Sequence, residues 1–208
     1  MPATNDKTIK IDKDQLRAKL QKRLLEIPEN QRAEKSKKAC RNLISTPQFQ
    51  NASVIMMYLS LPHETDTSDA ILCAWQLGKI VVVPKISWQQ RHMIPVLVNS
   101  LETGFSTDVA GLRNPTTGTP MPFEDIDLVV TPALGVDKKG NRLGRGGSYY
   151  DRFFANEKLR AVKCAFVFAE QVLDSIPAGD HDKQVDLLVT DNKVIYFNPD
   201  LSRREKGE

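Results

Sequence analysis

Apolar residues recur along this chain with two different periods, and the change falls near residue 52. Before it the period is helical. Leu16, Leu20 and Leu24 repeat every four residues, which predicts a helix over residues 9–26 with a narrow apolar stripe. Pro28 interrupts the pattern. A second helix is expected over 29–45, with Ala33, Cys40, Leu43 and Ile44 on its apolar side. Beyond residue 52, short unbroken apolar runs take over. Ser53-Val-Ile-Met-Met-Tyr-Leu59, Ile80-Val-Val-Val-Pro84, Leu128-Val-Val-Thr-Pro132 and residues 162–168 have strand length and no polar face. Strands buried on both sides carry this pattern. Residues 93–98 predict another strand, with Pro95 pointing to an edge or a bulge. Leu187 to Thr190 and Val194 to Phe197 predict two short strands joined by Asp191-Asn192-Lys193.

Helices are expected between the runs. One spans Thr67 to Gly78, with Thr67 as its cap and Gly78 as its stop. Another spans Ser148 to Asn156. Residues 99–124, rich in Gly, Pro and Thr, read as loop. Strands alternating with helices imply an α/β fold. The expectation is a mostly parallel sheet flanked by helices on both faces, a Rossmann-like three-layer arrangement with two N-terminal helices. One domain is expected over residues 1–208, with 1–8 disordered and 199–208 mobile.

Composition narrows the class. At 208 residues the chain can bury roughly 70% of its unfolded surface, so folding needs no disulfide or metal staple. No apolar run approaches the roughly 20 residues of a membrane helix. The polar start Met-Pro-Ala-Thr-Asn-Asp-Lys does not read as a signal peptide. Cys40, Cys73 and Cys164 are scattered and odd in number, which argues for a reducing, cytoplasmic setting. The net charge of +3 hides an asymmetry. Residues 1–41 hold 12 Lys and Arg against 6 Asp and Glu, and the remainder holds 17 against 20. A basic segment on a mildly acidic body suits phosphates or another anion, or is only a solvated helix face. Nucleic acid is disfavoured, because the basic residues are not interleaved with aromatics.

The chemistry concentrates in Asn141-Arg-Leu-Gly-Arg-Gly-Gly-Ser-Tyr-Tyr-Asp151, which holds three glycines, two arginines, two tyrosines and one aspartate. Glycines allow close backbone approach and inward N–H groups. Arginines bring forked donors suited to phosphate or carboxylate. The element follows an expected strand and opens an expected helix, where phosphates bind in α/β sheets. It is not a Walker A loop, since no Gly-Lys-Ser/Thr follows at the right spacing. It is not the dinucleotide fingerprint either, because Tyr149 stands where the third glycine belongs. A tight turn with a purely conformational role is the plainer alternative.

This stretch resembles the signature of the 5-formyltetrahydrofolate cyclo-ligase family, close to Gly-x-Arg-Leu-Gly-[Tyr/Arg]-Gly-x-Gly-Tyr-Tyr-Asp. Three further segments resemble the family in the same order. They are Lys13-Asp-Gln-Leu-Arg17, then Tyr58-Leu-Ser-Leu-Pro-His-Glu64 with Asp66-Thr67, then Gln171, Pro177 and His181-Asp182-x-x-Val-Asp186-x-x-Val-Thr190. Ser148 departs from the pattern, where members usually carry Gly. The resemblance implies a ligase that closes 5-formyltetrahydrofolate to 5,10-methenyltetrahydrofolate with ATP and Mg2+, releasing ADP and phosphate. A monomer acting on small molecules is expected, with no nucleic-acid or membrane partner.

Roles follow from the resemblance. Lys13 and Arg17 share a helix face and would reach the ATP phosphates. Arg142 and Arg145 would be catalytic and phosphate-binding, with Gly144, Gly146, Gly147, Ser148, Tyr149 and Tyr150 completing the ATP site. Leu59, Glu64, Arg145 and Tyr149 would border the folate. Asp151 and Asp186 would hold magnesium, which takes one or two carboxylates beside substrate phosphates. Other readings stay open. The tyrosines fit a core at a helix start, Asp151 fits a first-turn carboxylate, and Asp186 fits a surface residue entering a strand. The competing functions are a nonenzymatic folate or nucleotide sensor and a phosphosugar isomerase or CoA-transferase relative.

Overall fold

The computed structural model of the chain describes residues 3–109 and 111–203. Helix α1 runs over Ala3–Leu25 and α2 over Glu29–Ile44. Residues 3–8, expected to be disordered, are therefore the first turns of α1; residues 1 and 2 lie outside the described residues. On α2 the buried side is Ser36, Ala39, Cys40 and Leu43, and Ala33 faces solvent. Ser36 belongs inside because its hydroxyl accepts the Asp66 backbone N–H at 3.0 Å. A short helix α3 (Pro47–Asn51) follows, capped by the Thr46 hydroxyl on the Phe49 N–H.

Next come β1 (Val54–Met57), α4 (Ser68–Gln76), β2 (Ile80–Ser87) and β3 (His92–Leu97). Thr67 does not cap α4 as its position suggested. Its hydroxyl donates to the Tyr58 carbonyl at 2.7 Å, and Asp66 Oδ1 takes the Ser68 N–H instead. Gly78 does stop the helix, at a left-handed φ of 72°. The region expected as loop contains a hairpin of β4 (Phe105–Thr107) and β5 (Arg113–Pro115). Then follow β6 (Leu128–Thr131), β7 (Gly135–Asp137), β8 (Arg142–Leu143), α5 (Tyr149–Phe154) and β9 (Val162–Phe166). The chain closes with β10 (Val172–Leu173), β11 (Leu187–Val189), β12 (Val194–Tyr196) and α6 (Pro199–Arg203). Of the expected mobile stretch, residues 199–203 make up α6, and 204–208 lie outside the described residues.

The main sheet has seven strands in the order β12-β11-β9-β6-β1-β2-β3. The five inner strands are parallel, and both edge strands, β3 and β12, are antiparallel to their neighbours. Pro95 sits on edge strand β3, where a missing donor costs least. Alternate residues of β1 feed two different cores. Ile55 and Met57 pack with α2, α3 and α4 residues such as Leu43, Phe49 and Ile71 on one face. Val54 and Met56 pack with Phe153 and Phe154 of α5 on the other. This two-sided burial is why the strands read as unbroken apolar runs.

Helix α1 uses its stripe elsewhere. Leu20 and Leu24, with Ile27 just beyond, pack on Leu134, Leu143, Phe168 and Ile176. Burying each leucine contributes about 1.5–3 kcal/mol. Its partners surround a second, three-stranded sheet, β10-β7-β8. So α1 clamps the small sheet that carries the glycine-rich segment, which fixes its basic face beside that segment.

Candidate active site

The glycine-rich segment does not leave β6 directly. The β7–β8 hairpin comes between, and Arg142-Leu143 is the strand β8 itself. Buried Asp137 holds this hairpin. Its Oδ1 accepts the N–H groups of Lys139 and Asn141, and its Oδ2 accepts Asn141 Nδ2 and the Ile176 N–H, at 2.8–3.0 Å. Four bonds satisfy a carboxylate that would otherwise be costly to bury.

Past β8 the backbone turns through Gly146 at φ 103° and Ser148 at φ 51° before α5 begins. Ser148 precedes α5 in a left-handed conformation, and its side chain makes no cap bond. That geometry favours glycine, because a Cβ there crowds the following carbonyl. A Cβ on Gly147 would stand 2.7 Å from two carbons of the Tyr149 ring, so that position excludes side chains for a different reason.

The loop borders a cleft of about 360 Å3 at the carboxyl ends of the strands, a size that suits a small ligand. Lys13, Arg17, Leu59, Glu64, Arg142, Gly144, Arg145, Gly146, Gly147, Ser148, Tyr149, Tyr150 and Asp151 all line it. Segments up to 169 residues apart in sequence, those of Lys13 and Asp182, meet there. Arg17 Nε donates to the Gly144 carbonyl at 2.9 Å and Nη1 pairs with Asp14. Lys13 pairs with Asp182. Arg145 is half-exposed and sits 3.0 Å from Glu64 Oε1, while Glu64 Oε2 accepts the Leu61 N–H at 3.0 Å.

Arg142 is the opposite case. Its side chain is only 2% exposed, pairs with Asp151 Oδ1 at 2.9 Å, and lies over the Tyr150 and Phe154 rings. Burial draws its pKa down from the ordinary arginine value, and Asp151 opposes that. Its Nε is buried and has no hydrogen-bond partner. Burial pushes the Tyr150 phenol up, and the Arg142 charge and the Thr131 side chain oppose that. Tyr149 meets Trp88 edge-on at 5.8 Å and lies under the Arg152 guanidinium.

Asp186 is not brought to the cleft. It stands before β11, at the amino end of the parallel strands, and its Oδ2 accepts the Lys163 N–H at 2.8 Å. The carboxylate that does reach the cleft beside Asp151 is Asp182, four residues earlier. Among the described residues no cluster of three or more His, Cys, Asp or Glu could hold a metal by itself. Asp151 binds Arg142 and the Lys183 N–H through Oδ1, and Asp182 binds Lys13 and the Gly179 N–H through Oδ2. Each keeps a second oxygen outside these bonds. Two such oxygens suit a magnesium ion whose other ligands are phosphates and water.

Sequence reading also passed over Pro84, Ile86, Trp88 and Met93 of β2, β3 and their connection, and Leu112 and Arg113 of the β4–β5 hairpin. The signal for Trp88 was its size in an exposed hairpin tip, where a 56% exposed tryptophan is unusual.

A three-layer α/β protein with a cationic, glycine-lined cleft at its strand ends is of the class whose site suits an anionic ligand. The particular relationship is sharper. The pattern of the 5-formyltetrahydrofolate cyclo-ligase family matches residues 9–191, and the chain belongs to that family. The mouse 5-formyltetrahydrofolate cyclo-ligase is 31% identical, over 86% of this chain and 93% of its own length. The Mycolicibacterium smegmatis 5-formyltetrahydrofolate cyclo-ligase is also 31% identical, over 88% and 95%. The solution structure of the Aquifex aeolicus 5,10-methenyltetrahydrofolate synthetase superposes with a TM-score of 0.77 at 26% identity, covering 89% of this chain and 93% of that one. No helix among the described residues is long and apolar enough to cross a membrane.

Proposed function

We propose that the chain closes 5-formyltetrahydrofolate to 5,10-methenyltetrahydrofolate at the expense of ATP. The observation that carries this reading is the meeting, in one cleft, of four cations from α1 and the glycine-rich segment, a glycine-lined loop and an apolar floor. The cations are Lys13, Arg17, Arg142 and Arg145. The floor includes Leu59, Pro84, Ile86, Met93 and Tyr149. One side suits a polyphosphate and the other a flat ring system.

The chemistry needs both. Hydroxide is a poor leaving group from a formyl carbon. The formyl oxygen therefore attacks the terminal phosphorus, and ADP departs. The N10 lone pair of the folate then attacks the activated carbon and N10 loses its proton. The C–O bond breaks, phosphate leaves with the former formyl oxygen, and the methenyl bridge remains. Such transfer demands positioning and charge neutralisation rather than a protein nucleophile. On this reading Arg142, fixed by Asp151, holds one phosphate position. Arg145 is held only by Glu64 at the surface and moves onto the transferring group. Its departure frees Glu64 to accept hydrogen bonds from the pterin. Asp151 and Asp182 hold magnesium, which screens phosphate charge when bound. The free cysteines Cys40, Cys73 and Cys164 fit a cytoplasmic location, and the enzyme works as a monomer on small molecules.

The test is a spectrophotometric assay with purified protein, 5-formyltetrahydrofolate, MgATP and controls lacking each. Methenyl absorbance that requires ATP supports the reading. Tight binding of both ligands with no product would overturn it in favour of a sensor.

A further inference from the structure

Five cations line the cleft, and four of them already face a carboxylate. Lys13 pairs with Asp182, Arg17 with Asp14, Arg142 with Asp151 and Arg145 with Glu64. Arg113 is the exception among the described residues. Its guanidinium gives Nη1 to the Leu101 carbonyl at 2.9 Å and lies 5.7 Å above the Phe105 ring. It forms no ion pair. An arginine has five N–H donors in a planar fork, so most of this fork remains available on a cleft wall.

Its setting differs from that of the other four. They come from α1 and the glycine-rich segment. Arg113 comes from β5, beside Leu112 and against the apolar strand β2. Asn114 locks β5 there, giving Nδ2 to the Ile86 carbonyl and accepting the Ile86 N–H, at 3.0 and 2.8 Å. At the other end of the hairpin turn Gly111 lies near Pro62 of the loop that carries Glu64, since a Cβ added there would stand 3.7 Å from the proline ring. The cation is thus braced at both sides and restrained by a ring and a carbonyl, with no countercharge. A braced, unpaired guanidinium at an apolar wall is preorganised for an anion.

We propose that Arg113 anchors the glutamate carboxylate of the folate tail, forming the second charged end of the substrate site. This rests on the reading that the cleft takes a reduced folate. A folate is an uncharged ring system with carboxylates at its far end. The apolar residues Pro84, Ile86, Trp88 and Met93 and the unpaired Arg113 match that order of groups. Arg113 is then a specificity residue. It acts in binding and leaves the phosphoryl transfer untouched.

The test compares 5-formyltetrahydrofolate with its neutral analogue, in which a plain amide replaces the glutamate. For the unmodified protein the KM for the analogue should be roughly 10- to 100-fold higher, the range of a charge-assisted contact, with similar kcat. Arg113→Ala should raise the KM for the folate to that of the analogue and leave the KM for ATP and for the analogue unchanged. Arg113→Lys should recover part of the difference. Calorimetric titration with p-aminobenzoylglutamate supplies an independent readout, and its binding should disappear in Arg113→Ala. Equal KM changes on both substrates would reveal a merely structural role through Leu101 and overturn the proposal, as would unaltered discrimination. If the unmodified protein converts neither substrate, the cyclo-ligase reading fails, and the fragment titration still decides whether Arg113 binds the carboxylate.

Discussion

The two walls of the cleft solve opposite problems. The wall made by α1 and the glycine-rich segment is charged, and each of its cations is already neutralised by a carboxylate. The wall made by β2, β3 and the β4–β5 hairpin is mainly apolar and, among the described residues, offers one cation outside any ion pair, Arg113. A cationic wall without countercharges would repel itself and destabilise the fold. Built-in carboxylates remove that repulsion and can be exchanged for phosphate oxygens or a metal when a ligand arrives. The apolar wall needs no such provision, because excluding water is its task.

Within the charged wall the pairs are not equivalent, and substitutions should separate them. The largest effect is expected at Arg142. Arg142→Ala leaves Asp151 without its buried partner, which should cost about 3 kcal/mol or more and lower the melting temperature by roughly 6–12 °C. An unchanged melting curve would mean that Arg142 is not the structural half of the pair of arginines. Arg145→Ala should do the reverse. Its exposed ion pair is worth about 1 kcal/mol or less, so stability hardly moves, while turnover falls roughly 100- to 1000-fold. Near-normal turnover in that variant removes Arg145 from the mechanism.

A smaller change is expected from the carboxylates. Asp151→Asn and Asp182→Asn should each shift the magnesium titration of activity upward by about tenfold, equivalent to one lost ligand contact of about 1.4 kcal/mol. Asp186→Asn should leave the titration where it is. A shift with Asp186→Asn alone would contradict the arrangement of the metal site. The smallest effect belongs to the backbone. Ser148→Gly relieves a left-handed φ and should add about 0.5–1 kcal/mol in chemical denaturation, after the extra flexibility of glycine in the unfolded chain is set against it. A loss of stability would show that the Ser148 side chain has a role its geometry does not reveal.

What could be read in advance follows the physics of burial. The inner parallel strands announce themselves because both faces are covered, so β1, β2, β6, β9 and β11 were visible as apolar runs. β7, β8 and β10 were not visible, because each has two or three residues and none lies in an unbroken apolar run like the one that marks β11. β2 extends to Ser87 past Pro84, because Pro84 faces Pro95 across the hairpin and the pairing continues beyond both. That extension carries Ile86 into the cleft and brings the strand up to Trp88. The glycine-rich segment was legible from composition, since few turns combine three glycines with two arginines. The choice between Asp182 and Asp186 was not legible. Both belong to one short motif, and only the fold shows that Asp186 enters β11 while Asp182 folds back onto Lys13, 169 positions away. The same limit hid Arg113, whose meaning lies in the absence of a partner that sequence cannot display.

The account depends most on one event, the passage of the terminal phosphoryl group to the formyl oxygen inside this cleft. Isotope tracing addresses it without reference to any substitution. 5-Formyltetrahydrofolate labelled with 18O in the formyl group is converted with MgATP by the purified protein, and the released phosphate is analysed by mass. The account predicts one 18O atom in each phosphate formed per methenyl product. Label appearing in water, with unlabelled phosphate, would contradict it.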